Sequence, residues 1–112
     1  LKLKHREYIP KNYTGIVEYP SGNIHYYLNE KRHREDGPAI IYSDGTIKYF
    51  LNGEIHREDG PAVIWNDGKK YWYINYKNIT EKVNNWLNGK TNIPPYEKWD
   101  NNTRLIFKLT FR

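Results

Sequence analysis

The heptapeptide His33–Ala39 reads His-Arg-Glu-Asp-Gly-Pro-Ala and recurs unchanged at His56–Ala62, 23 residues later. A chain that repeats at this interval folds as a stack of small equivalent units, each burying its apolar face against the next. The same offset relates Gly22, Gly45 and Gly68, and Asn29, Asn52 and Asn75. It also relates the aromatic series Tyr19, Tyr42, Trp65 and Tyr26, Tyr49, Trp72. Upstream, Ile16-Val17-Glu18-Tyr19 aligns with Ala39–Tyr42 as a partial unit, and His5-Arg6-Glu7 echoes the septet out of register. Downstream, Tyr76-Lys77-Asn78 follows Asn75 where another septet is due, and the array ends.

The columns of the repeat predict strands. Columns 26/49/72 and 28/51/74 are aromatic or aliphatic in every copy. They lie two residues apart, so they share one face of a strand, and that face is expected to be core. Columns 25/48/71 and 27/50/73 then face outward. In the other strand, columns 40/63 and 42/65 are apolar, and column 41/64, extended by Glu18, is the less buried side. Asp44-Gly45, Asp67-Gly68 and Asn52-Gly53 sit between the apolar runs, and both dipeptides favour the positive φ of a hairpin turn. Pro38 and Pro61 stand just before a strand, where no ladder donor is needed.

The remainder reads as caps. Thr80 is a good N-cap for a short helix at about 81–88, Gly89 a good stop, and Val83, Trp86 and Leu87 its apolar face. Leu105, Phe107, Leu109 and Phe111 alternate with Lys108 and Thr110, predicting a final strand at about 104–111; a helix there is the alternative. The expected organisation is an N-terminal cap or degenerate repeat over 1–13, hairpin repeats over 14–78, and a C-terminal cap over 79–112. The fold class is mainly β: meandering antiparallel β-hairpin repeats in a single-layer sheet with a small helical cap.

Composition narrows the function classes. The chain of 112 residues has no cysteine, no apolar run near the ~20 residues of a membrane span, and no signal-peptide pattern. The expectation is a soluble, cytoplasmic protein. Its wealth of Lys, Asn, Ile and Tyr suggests an AT-rich genome, that of a low-GC bacterium or of a large DNA virus, which would make the chain virus-encoded. The net charge of +5 raises nucleic acid as a partner, but in the septets Arg34 is followed by Glu35 and Asp36, and Arg57 by Glu58 and Asp59. That is a mildly basic surface rather than a phosphate-tracking stripe.

The period of 23, the Asn-Gly turn followed by a His, and the Asp-Gly turn beside an aromatic strand resemble the MORN repeat. The stretch Tyr49-Phe50-Leu51-Asn52-Gly53-Glu54-Ile55-His56 is most similar, and residues 14–78 carry the likeness. The chain looks like a variant class with HREDGPA in place of the usual His-Gly-x-Gly, a class associated with giant-virus and some bacterial proteins of unknown role. The resemblance implies a meander of hairpins and roles in scaffolding, protein association and, in some members, membrane surfaces. Those roles vary, so the fold alone carries over.

Two sets of candidate site residues follow. The septets present a repeated polar cluster of His33, Arg34, Asp36, His56, Arg57 and Asp59. As architecture, Asp36 would accept backbone N–H bonds in an Asx-type turn, Arg34 would pair with Glu35 or Asp36, and His33 would stack on His56. As a metal site it fails, because identical columns in adjacent hairpins lie ~10 Å apart, too far for one ion. No Ser or Cys stands in a nucleophile context, and the titratable groups are duplicated where catalytic groups are singular; neither enzyme activity nor a cofactor is expected. The second set is the outward aromatic ladder Tyr27, Phe50 and Tyr73 with His25, Lys48 and Tyr71. It could grip a protein or, with Lys69 and Lys70, stack bases, unless the C-terminal helix covers it. The expected function is a non-catalytic module for protein interaction or scaffolding. The alternatives are a nucleic-acid-binding protein and a structural piece of a virion or larger chain. A membrane surface is disfavoured, and pairing of two copies through a sheet edge is open.

Overall fold

The computed structural model describes residues 1–3, 9–89 and 92–112, so the echo at His5-Arg6-Glu7 lies outside the described residues. Each full 23-residue unit forms two successive short hairpins. The first unit comprises β1 (Gly15–Glu18), β2 (Ile24–Leu28) and β3 (Lys31–Arg32). The second comprises β4 (Ile40–Ile41), β5 (Ile47–Lys48), β6 (Phe50–Leu51) and β7 (Glu54–Ile55). The third comprises β8 (Val63–Ile64), β9 (Lys70–Tyr71), β10 (Tyr73–Ile74) and β11 (Lys77–Asn78). The main antiparallel sheet runs β1-β2-β4-β5-β8-β9 in a meander, with β3 on β2. The short hairpins β6/β7 and β10/β11 form a second row beside it. The backbone changes rows at Tyr49: its N–H donates to the Ala62 carbonyl in the sheet, and its carbonyl accepts from His56 N–H in the hairpin row. The result is an elongated molecule of 50 × 27 × 22 Å.

Turn chemistry sets this geometry. At Asp44-Gly45 and Asp67-Gly68 the Asp carboxylate accepts the backbone N–H two residues on, at 2.8 and 3.0 Å, and the glycine takes φ near +90°. The second turns are Asn29-Glu30, Asn52-Gly53 and Asn75-Tyr76, and both central residues of each have positive φ. That twist matches a two-residue hairpin. Only the middle copy places glycine second, so Glu30 and Tyr76 are held at φ 70° and 72°.

Register sorts side chains onto two faces. Val17, His25, Ile40, Lys48, Val63 and Tyr71 are successive cross-strand partners on one face. Glu18, Ile24, Ile41, Ile47, Ile64 and Lys70 form the row on the other. The expectation of one core face and one outer face fails, because each face is covered at a different end. At the start of the array the N-terminus lies along β1, with Leu3 N–H on the Glu18 carbonyl at 2.8 Å, and Leu3 packs with Val17 and Tyr27. This buries the first copy of the supposedly outward face. At the far end the cap packs on Trp72 and Ile74, while Leu28, the repeat equivalent of Ile74, is exposed. Column 42/65 is not core either: Trp65 is 42% exposed.

The cap is α1 (Thr80–Asn88), a 3-10 turn (Tyr96–Lys98) and α2 (Asn101–Phe111). Thr80 does not cap α1; its hydroxyl accepts the Trp72 N–H at 2.9 Å, the bond that the Ala62 carbonyl makes to Tyr49 one unit earlier. Gly89 ends α1 in a right-handed conformation. The final segment is a helix rather than the strand expected at 104–111. Asp100 caps it by accepting the Thr103 N–H at 2.8 Å, and Phe107 is fully buried among Trp72, Trp86, Trp99 and Phe111. Leu105 and Leu109, which suggested the alternation, point outward.

Candidate functional site

The two septets adopt one geometry, and it is chiefly that of a clamp. His33 Nδ1 accepts the Asn52 N–H and His56 Nδ1 accepts the Asn75 N–H, each at 2.9 Å, so each imidazole holds the Asn turn of the next unit. The two rings serve separate turns instead of stacking as expected. The opposite nitrogens face Glu35 at 3.5 Å and Glu58 at 2.9 Å. Arg34 donates to Asp36 at 2.9 Å and to the Pro38 carbonyl at 3.2 Å, with its guanidinium 4.1 Å from the centre of the Tyr26 ring. Arg57 repeats this with Asp59, Pro61 and Tyr49 at 2.8, 3.0 and 4.0 Å. A planar guanidinium suits both the stacking and the forked donation. Asp36 therefore takes the guanidinium rather than the expected buried turn amide, and that bond holds the pKa of its carboxyl below the usual carboxylate range.

Between the septets opens a cleft of about 380 Å³. Arg34, Glu35, Asp36 and Gly37 form one wall, and Arg104 and Lys108 of α2 stand opposite. Lys108 reaches Glu58 at 3.5 Å. Sequence reasoning did not place α2 here, because its misread strand character hid the helical face.

The aromatic ladder divides. Tyr27 and His25 are buried, 8% and 9% exposed, and so are withdrawn from any partner. Tyr27 donates or accepts with Tyr19 at 2.7 Å, and burial with that bond pushes its phenol up to about 12. Arg32 Nε donates to His25 Nδ1 at 3.2 Å; burial, then the nearby guanidinium, lowers the imidazole to about 4 and keeps it neutral. Phe50, Tyr73, Lys48 and Tyr71 stay half-buried. The helices pack on the opposite face, through Trp72 and Ile74. Lys48, Tyr71 and Tyr73, with Ile55, Val63 and Trp65, line an open groove of about 430 Å³. Lys48 Nζ sits 5.3 Å from the Tyr42 ring centre and 5.5 Å from that of Trp65. Trp65 was missed because its column counted as core; its place beside the Asp67-Gly68 turn was the available signal.

Among the described residues, no group of three or more His, Asp or Glu comes together as a metal site, and no helix is long and apolar enough to cross a membrane. Comparison with protein-family models, with curated proteins and with solved structures found no match.

Proposed function

We propose that this chain is a non-catalytic repeat module that binds another protein through the groove of Lys48, Val63, Trp65, Tyr71 and Tyr73. The observation that carries the reading is an aromatic surface left open on the face opposite the helical cap. Large rigid aromatics in a concave site bury much area at little entropic cost, which is the composition of protein-binding hot spots. Of the septet side chains, the best candidates for chemistry, the histidines hold the units together and the arginines are bound within their own septets. Of the lysines that a nucleic-acid reading needs, Lys48 lies near the Tyr42 and Trp65 rings, and Lys69 is exposed beside Asp67, whose charge offsets its own. Kinship with the MORN repeat belongs to this proposal, supported by the period and the hairpin meander.

Selection from a displayed peptide library tests the reading. Binders to the native chain should lose at least tenfold in affinity for a Trp65→Ser/Tyr73→Ser variant that melts like the native chain. Binders indifferent to that variant would overturn the groove as the site. Tight polynucleotide binding at ~50 mM salt that collapses steeply as salt rises would overturn the partner class.

A further inference from the structure

The two septets are identical in sequence and closely similar in internal geometry, yet among the described residues only the second is covered. Over it lies the chain's own cap. Tyr96 comes against the Arg57 guanidinium, its ring centre 5.4 Å from the guanidinium carbon, so that Arg57 lies over two rings, Tyr49 and Tyr96. The ring comes so close to Gly60 that a Cβ there would stand 2.9 Å from its Cδ2, so the septet glycine is the floor on which the tyrosine rests. Lys108 then pairs with Glu58. The cap thus contributes two elements, an aromatic ring over arginine and glycine and a cation on the septet glutamate.

The first septet offers the same surface without that cover. Arg34 lies on Tyr26 as Arg57 lies on Tyr49. At Gly37 the nearest atoms to an added Cβ all belong to Arg34, and among the described residues no ring takes the place of Tyr96. The Glu35 side chain is 83% exposed, against 46% for Glu58, and its one ionic contact among the described residues is His33 at 3.5 Å. Beside these groups lies the 380 Å³ cleft, room for a large side chain and its neighbours.

We propose that the first septet is a docking site for a basic, tyrosine-bearing segment of a partner protein, whose ring covers Arg34 and Gly37 and whose lysine or arginine pairs with Glu35. This rests on the reading of the chain as an interaction module, and adds a second site and the chemistry of its ligand. The cation-π and ion-pair elements are individually modest, so a two-point contact fits a weak, reversible partner.

A synthetic peptide covering residues 92–112 of this chain serves as the probe, because it carries the ring and the cations in the order the septet accepts. It is titrated into the isotope-labelled full chain while backbone amide resonances are followed. The expected result is saturable shifts at Arg34, Glu35 and Gly37. Affinity should fall about fivefold or more in Glu35→Lys and with a peptide carrying alanine for its tyrosine. Glu35 is exposed enough for the variant to fold, and the second septet supplies an internal control in the same spectrum. Shifts confined to Arg57–Gly60 would mean that the peptide merely exchanges with the native cap, and would overturn the proposal. So would an absence of shifts, or affinity unchanged in Glu35→Lys. Those failures leave the groove reading standing, since Trp65 and Tyr73 take no part in this site.

Discussion

At the scale of single residues, the repeat is held by groups that sequence alone marks as chemically promising. His25 is the sharpest case. It is buried and neutral in the fold, with its pKa lowered to about 4, whereas in the unfolded chain it titrates near the ordinary 6.5. Between those values the unfolded state binds more protons than the folded one. The stability of the neutral form is therefore complete above about pH 6.5 and declines as pH falls toward 4. Urea unfolding at pH 7 and pH 4.5 checks this: the midpoint should fall, and His25→Gln should fall less between the same two values. Tyr76 gives a second test. It holds φ 72° in a turn where its equivalent is Gly53, and the residue is 71% exposed. Replacing it with glycine removes left-handed strain and little packing, so Tyr76→Gly should stabilise by about 1 kcal/mol in thermal or denaturant unfolding.

At the scale of elements, the array was legible because its punctuation is local. The Asp-Gly and Asn-Gly turns lie where the columns put them, and the septet connects units as expected. What misled was burial, which depends on what covers a face. The segment Leu1–Leu3 gives no sign that Leu3 will pack on Tyr27, so the first copy of the outward ladder became core. In α2 the alternation of Leu105, Phe107 and Leu109 imitated a strand, while the Asp100 cap and the spacing of Phe107 and Phe111 specified a helix. The array's end is readable in retrospect. Ile79 occupies the column of His33 and His56, and its N–H still donates to the Trp72 carbonyl as theirs donate to Tyr26 and Tyr49. Its apolar side chain joins the cap core instead of holding another turn. Thr80, in the arginine column, closes the ladder through its hydroxyl. Thr80→Val should leave the buried Trp72 N–H without an acceptor and cost about 1–3 kcal/mol, measured by denaturant unfolding. The same change in an ordinary exposed N-cap would cost less than loss of this ladder bond.

At the scale of the whole molecule, the two ends of the array are closed unlike each other. The N-terminus covers one face and the helices the other, which leaves open stretches on both. The groove is the open part of one face, and the first septet with its cleft is the open part of the other. Both consequences depend on one claim, that the septets act as clamps between units. Amide hydrogen exchange at Asn52 and Asn75 tests that claim most directly. In the native chain both amides should be protected. His33→Ala should release Asn52 by tenfold or more while sparing Asn75, and His56→Ala should do the reverse. Exchange at both positions unchanged by either substitution would contradict the clamp.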